Sequence, residues 1–451
     1  MTTVEATEAR VTSTAEKTEL VPGSVLIPFV LVTCCFALWG FANDITNPMV
    51  AAFQKIFLTG ATEATWIQVA FYGGYGVMAF PAALFIRRFS YKAGILLGLG
   101  LYTIGGLLFI PASSIGEFYP FLLAYFVITC GLSFLETTAN PYILSMGPAE
   151  SATRRLNLAQ AFNPVGSLIG MYIASQFILA RLDARGREAR ELLPAQEFEA
   201  VKAADLEIVS QPYIMIGLVI AVLFVLIALM KMPNHKAAAM TDASLKAIFG
   251  RLLRSKKYVE GVVAQMLYVG AQIMCWTFII HYGTEVFMAE GMMEKDAQIL
   301  SQQYNIAAMA IFCASRFICT FLLKFIHPGA LLMYLAAGGV GLSLGVVLLG
   351  GQGGLYCLVG ISACMSLMFP TIYGIALKGI DGDDAKFGAA GLIMAIVGGT
   401  FLPMLQAGVI DNWNMGFVSA VEASFTLPLL CFVAIAVYGY RTAKIHDASP
   451  Y

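Results

Sequence analysis

The 451-residue sequence predicts an all-α membrane protein of twelve transmembrane helices in two six-helix halves. Three observations lead there. First, 59% of the residues are hydrophobic and 12% charged, against about 45–50% and about 25% in soluble domains. Second, the apolar residues gather into runs of the ~20 residues that a helical span needs. Third, one basic stretch near the middle divides those runs six and six.

In chain order, the runs predict helices over about 25–54, 64–86, 92–112, 118–147, 156–180 and 211–232. A second set follows at about 259–289, 298–323, 328–350, 354–378, 386–411 and 416–440. The resulting organisation is a tail over 1–23, a first half over 24–232, a connector over 233–258, a second half over 259–440 and a tail over 441–451. The first 23 residues are polar and rich in Thr and Glu, without the basic start and apolar core of a signal peptide. They read as a flexible cytoplasmic tail. The connector, "KMPNHKAAAMTDASLKAIFGRLLRSKKYVEG", mixes Lys and Arg with Leu, Ile and Phe at helical spacing. An amphipathic helix on the membrane surface and a solvated linker helix both fit it.

Lys and Arg orient the spans, because cytoplasmic loops collect them. With both termini inside, that side holds 20 of the 27 basic residues, among them Arg87, Arg88, Lys92, Arg154, Arg155, Arg316 and seven from Lys231 to Lys257. The outer side holds Lys55, Lys202, Lys295 and the four arginines of "RLDARGREAR", whose acids offset them. An N-in, C-in topology follows. The second and third helices of each half are joined by similar basic-aromatic turns, "FIRRFSYKAGILLGL" and "LLKFIHPGALLMYL", which suggests an internal duplication.

Composition also excludes classes. A net charge of −1 gives no field for nucleic acid. The nine cysteines all lie inside apolar runs without zinc spacing, so buried free thiols are expected, with no metal and no cofactor. No Walker sequence is present, and the glycine-rich stretches "FYGGYG" and "IVGGTFLP" lie in spans, where small residues permit close helix crossings. Among His235, His281, His327 and His446 no nucleophile–base set appears, and no sizeable soluble output domain is present. A membrane enzyme or a sensor is therefore disfavoured.

Ionisable residues inside spans are the functional suspects, since an Asp at a helix centre costs about 2.5–3.5 kcal/mol. In the first helix, Asn43, Asp44 and Asn47 share an arc of about 100° at ~100° per residue, with Trp39 one turn from Asn43. A polar clamp between helices is the ordinary alternative, but a carboxylate beside two carboxamides favours a wet site. In the fourth helix, Glu136 and Asn140 form an i, i+4 pair, and Pro141 removes a backbone donor there. A carboxyl taken out of water with no basic neighbour in sequence favours its protonated form, and reads either as a group that takes and releases a proton or as a permanent hydrogen-bond donor. In the fifth helix, Asn157, Gln160 and Asn163 drift by about 60° per step, so two of the three can face one cavity. In the seventh, Gln265, Tyr268, Gln272 and Trp276 share a face. Amides that pair with hydroxyls beside aromatic rings that take a C–H face suit a sugar; plain packing is the alternative. Gln68, Tyr72 and Tyr75 in the second helix are possible additions to the cavity. His281 and Glu285 read as a solvated outer mouth.

Several segments carry a resemblance. "FALWGFANDITNPMVAAF", "FYGGYGVMAFPAALFIRRFSYKAGILLGL", "GLSFLETTANPYILSMGP", "RRLNLAQAFNPVGS", "QMLYVGAQIMCWTFIIHY" and "FPTIYGIALKG" resemble the fucose–proton symporter family of the major facilitator superfamily, over residues 25–440 with the 181–210 loop divergent. The resemblance implies the major facilitator fold, a central sugar cavity, rocking of the halves and two functional carboxylates, one in helix one and one in helix four. Glu136 matches the second in its full "LETTANP" setting, and Gln160 and Asn163 match polar cavity positions. Helix one departs from the pattern: the family's acid falls at Asn47 and its Asn at Asp44, so the two have traded places here.

The expectation is a sugar–proton symporter of the inner (plasma) membrane, not an enzyme, working in the lipid bilayer as a single chain without nucleic-acid partners. Glu136 and Asp44 are the proton-coupling candidates. Asn43, Asn47, Asn140, Gln160, Asn163, Gln265, Tyr268, Gln272 and Trp276 are the candidates for binding a monosaccharide, L-fucose or a related hexose. An uncoupled carrier and a Na⁺-coupled one stay open, as does the choice between the two acids.

Overall fold

A computed structural model describes residues 20–46, 49–59, 66–183, 185, 187–232, 244–412 and 419–446. Asn47 and the Gln68 side chain lie outside the described residues. Among those described, every regular element is helical. The first half holds α1 (Leu26–Thr46), α2 (Trp66–Arg88), α3 (Tyr91–Leu107), α4 (Phe118–Ser145), α5 (Ala152–Gln160 with Asn163–Ile173) and α6 (Ala195–Leu229). The second holds α7 (Lys256–Ala289), α8 (Glu294–Leu322) and α9 (Pro328–Leu349). It continues with α10 (Gly351–Met365 with Met368–Leu377), α11 (Gly382–Met394 with Gly398–Asn412) and α12 (Thr426–Arg441).

Eleven helical stretches among the described residues are long and apolar enough to cross a membrane. The fifth expected span is not among these; α5 breaks at Ala161–Phe162, and Pro164 opens its second piece, where a missing N–H is harmless. A second break, in α10, is followed by Pro370. Serine side chains start several elements by accepting a backbone N–H, among them Ser90 for α3, Ser255 for α7 and Ser244 for the connector helix, as N-caps do. Within the first half α4 lies against α3 with backbone touching backbone. A Cβ on Gly131 would stand 2.6 Å from both the Gly98 carbonyl oxygen and the Tyr102 nitrogen. The apolar residues that stay exposed, such as Val219, Val222 and Leu226 on α6, face outward as a lipid surface requires.

Two features differ from expectation. α6 begins at Ala195 rather than near 211, and its charged first turns fold against the Arg-rich loop. There Arg190 and Asp205, both buried, pair at 2.5 Å, Asp205 also accepts from the Asp183 N–H at 2.9 Å, and Lys55 donates to the Asp183 carbonyl. Two of the four loop arginines, Arg185 and Arg190, are thus paired with carboxylates. The connector helix, Leu245–Arg254, packs on the bundle rather than standing free in solvent. Ile248 and Leu252 are buried, Phe249 meets Phe80 of α2 at 5.6 Å and Phe387 of α11 at 5.8 Å, and Arg251 pairs with Asp384 at 2.6 Å.

The two halves close against each other at the end of the bundle that carries the connector. Arg87, in the last turn of α2, makes an ion pair with Asp383 of α11 at 2.8 Å, and Lys386 reaches the same carboxylate at 3.0 Å. Nearby, the Asn157 amide donates to the Thr371 hydroxyl at 3.1 Å, and Thr153 lies against Gly374.

Candidate functional site

The polar arc of α1 is held on α5 by glycine. A Cβ on Gly40 or Gly166 would run into the backbone of Asn163 and Ala37, so the two helices approach at backbone distance. Asn163 Nδ2 then donates to the Phe36 carbonyl at 3.2 Å and Ser167 Oγ to the Gly40 carbonyl at 3.4 Å. Asn43 and Asp44 are half-buried on the same helix, Asp44 within electrostatic reach of Tyr72.

Deeper toward the connector end, Glu136 is 1% exposed and Asn140 fully buried. Gln160 Nε2 donates to Asn140 Oδ1 at 2.8 Å, joining α4 to α5. The Tyr75 hydroxyl, from α2, stands beside the Glu136 carboxyl and Trp39 without an aligned hydrogen bond. Tyr373, from α10 of the other half, is within electrostatic reach of Glu136.

The second half supplies the facing wall. Gln265 is fully buried. The Tyr268 hydroxyl donates to the Met365 carbonyl at 3.2 Å, and Trp276 Nε1 to the Ser362 hydroxyl at 3.2 Å. The Trp276 ring meets Phe312 edge-on at 4.9 Å. Gln272 is half-buried.

The candidates therefore fall into two levels. Asn43, Asp44, Asn163, Gln272 and Trp276 are partly accessible; Glu136, Asn140, Gln160, Gln265 and Tyr268 are sealed. Asn157 separates from both, since its amide is spent on Thr153 and Thr371. Toward the C-terminal end of α7, His281 is exposed and Glu285 accepts from Ser419 at 3.2 Å. Sequence reasoning misses Tyr373, Ser362, Phe312 and Arg316. A lone polar or aromatic residue in an apolar run carries no periodic signal, and Arg316, which reads as a cytoplasmic end, is instead buried in α8.

Several polar atoms here are buried without a partner: Asn43 Oδ1, Glu136 Oε2, Asn140 Nδ2, both amide atoms of Gln265, and the Tyr75 and Tyr373 hydroxyls. Leaving such an atom unpaired costs about 1–3 kcal/mol. Together they offer donors and acceptors to a neutral, polyhydroxylated ligand. A sealed carboxyl without an ion-pair partner among the described residues can hold a proton.

Two helical halves that close at one end over a polar site define a membrane carrier. Residues 32–403 match the Major Facilitator Superfamily. The chain is 51% identical over 427 residues to the L-fucose-proton symporter of Haemophilus influenzae, covering 93% of this chain and 97% of that one. It is 34% identical to the L-fucose-proton symporter of Escherichia coli, covering 92% and 93%, and 29% identical to a glucose/galactose transporter of Brucella abortus, covering 92% and 93%. A crystal structure of a Major Facilitator Superfamily transporter, FucP, in the outward conformation superimposes with a TM-score of 0.83 at 33% identity, over 93% of this chain and 99% of that one. The chain belongs to the Major Facilitator Superfamily and, within it, to the fucose–proton symporter family.

Proposed function

We propose that this protein imports a monosaccharide together with a proton by alternating access, with L-fucose the first candidate sugar. The observation that carries the reading is the group of buried, unpartnered polar atoms between the halves. The 51% identity to an L-fucose-proton symporter, against 29% to a glucose/galactose transporter, supports fucose over glucose or galactose.

Glu136 takes the proton. Neutral, it rests among Tyr75, Tyr373 and the Asn140–Gln160 pair; as an anion it has no cation beside it among the described residues, and burying an unpaired charge is expensive. Asp44, nearer the mouth, acts as a second acid or tunes the first. Asn43, Asn47, Asn140, Gln160, Asn163, Gln265 and Gln272 pair with hydroxyls, and Tyr268 and Trp276 complete the aromatic wall. The connector end is cytoplasmic, so the conformer described here is closed on the inside. The outward conformation of the similar solved transporter supports that assignment. The carrier works as one chain in the plasma (inner) membrane. One proton per sugar at ~150 mV supplies roughly 3.5 kcal/mol, enough for an accumulation of a few hundredfold.

The test is uptake of labelled L-fucose, D-galactose and D-glucose into proteoliposomes under an imposed pH or Na⁺ gradient. L-fucose should accumulate with the pH gradient alone. Accumulation driven by Na⁺, or a preference for glucose or galactose, contradicts the proposal.

A further inference from the structure

Arg316 has an arrangement that the transport cycle above does not use. It is 3% exposed on α8, and no carboxylate pairs with it among the described residues. Its guanidinium lies over the Phe312 ring at 4.6 Å. Nη1 donates to the Gln160 carbonyl at 3.0 Å, and Nε donates to the Ser366 carbonyl. The first acceptor is in the first half of the protein and the second, like Arg316 itself, in the second.

Both acceptors are vacant for the same reason. A helical carbonyl at i bonds the N–H at i+4, and the residues four beyond Gln160 and Ser366 are Pro164 and Pro370, which have no N–H. Gln160 ends the piece Ala152–Gln160 and Ser366 caps the piece Gly351–Met365, where the dipole favours a cation. One guanidinium thus serves two helix ends. Directly toward the connector end, the same two helices are joined by Asn157 with Thr371 and by Thr153 against Gly374.

We infer that Arg316 is the latch that holds proline-broken α5 and α10 together and keeps the connector end shut, acting as a positioning residue rather than a ligand to the sugar. Gln160 ties the latch to the site: its side chain bonds Asn140 while its carbonyl is held by Arg316. A ligand that draws the Gln160 amide away displaces the carbonyl that the latch grips. The requirement is for a fork of directed donors, which lysine, a point charge on a flexible stem, does not supply. The inference rests on alternating access, not on the identity of the sugar or the ion.

The test uses the full-length protein in liposomes, with Thr153→Cys as reporter and maleimide labelling followed by peptide mass spectrometry. The native Cys275, 1% exposed in α7, reports global loosening. Arg316→Gln should raise the labelling rate at position 153 by about tenfold, the shift that ~1.4 kcal/mol produces, while labelling of Cys275 stays slow. Arg316→Lys should raise it less, with Cys275 again protected. Unchanged labelling at 153 overturns the latch, and so does an equal rise at both cysteines, which is ordinary destabilisation. If Arg316→Gln does not fold, Arg316→Lys decides by the same two readings. None of these readings needs sugar or a proton gradient, so they stand whether or not fucose–proton import does.

Discussion

Replacing Gly131 with alanine perturbs the helix that carries Glu136 and Asn140 without touching either. The new methyl carbon would lie 2.6 Å from Gly98 O and 2.6 Å from Tyr102 N, both backbone atoms of α3 that no rotamer change can move. Restoring ordinary contact requires α4 to back away by roughly 0.8 Å, from 2.6 Å to the ~3.4 Å at which packed carbon atoms begin to attract. The other flank is also tight, since Gly74 of α2 lies against Thr129 and Cys130. The displacement is therefore absorbed as strain, and overpacking of this kind costs about 1–3 kcal/mol. Strain in α4 also bears on Asn140, whose 2.8 Å bond from Gln160 joins α4 to α5. The expected outcome is a lower melting temperature in detergent and a fall in sugar uptake within the roughly 5- to 150-fold range that 1–3 kcal/mol spans. Gly100→Ala is the control, because a Cβ there would meet only Phe224 at 3.8 Å; it should melt at or slightly above the parent temperature. A Gly131→Ala protein that melts and transports like the parent refutes the reasoning that backbone contact with α3 positions α4.

Three further outcomes follow from the geometry. Glu136→Gln should keep sugar counterflow but lose gradient-driven accumulation, a drop of a few hundredfold toward unity at ~150 mV; continued accumulation in vesicle uptake removes Glu136 as the coupling acid. Asp383→Ala strips Lys386, 1% exposed, and Arg87 of their shared carboxylate. Breaking such a buried cluster costs about 3–5 kcal/mol, so the connector end should open and maleimide labelling of a Thr153→Cys reporter should quicken; unchanged labelling shows that this cluster does not hold the halves. In the loop before α6, hydrogen bonds from Arg185 hold the Asp183 carboxyl well below the usual carboxylate range. A depressed folded value means that its stabilising contribution is complete above the unfolded value of ~3.9 and is lost only as pH falls below it. Amide protection over 187–205, taken relative to the intrinsic exchange rate at each pH, should therefore not change between pH 7.5 and 5, and a loss of protection within that window contradicts the assignment.

How far the molecule is legible in its sequence depends on the kind of signal. Spans are readable because an apolar run of the right length has few meanings, and the i, i+4 pairing of Glu136 with Asn140 marks a polar face by spacing alone. The break in α5 shows only as an Asn-Pro step, since proline permits both a kink and a new start. Arg316 is misleading because a basic residue six positions before the end of α8 looks like its cytoplasmic end. The carbonyls that hold it come from residues 160 and 366, far away in the chain. The connector shows its amphipathic period but not its partner, because Phe80 and Phe387 that clasp Phe249 come from opposite halves. The outer arginines mislead for the same reason: Arg190 is neutralised by Asp205 on an extension of α6 that hydropathy alone does not mark as helical.

Coupling at Glu136 requires that sugar and proton move together. The most direct measurement is external pH in a lightly buffered suspension of de-energised vesicles as L-fucose is added. Alkalinisation outside on sugar addition, abolished in Glu136→Gln while that variant still exchanges sugar, is the predicted result. Sugar exchange without any pH change in the parent protein, or undiminished alkalinisation in Glu136→Gln, contradicts it.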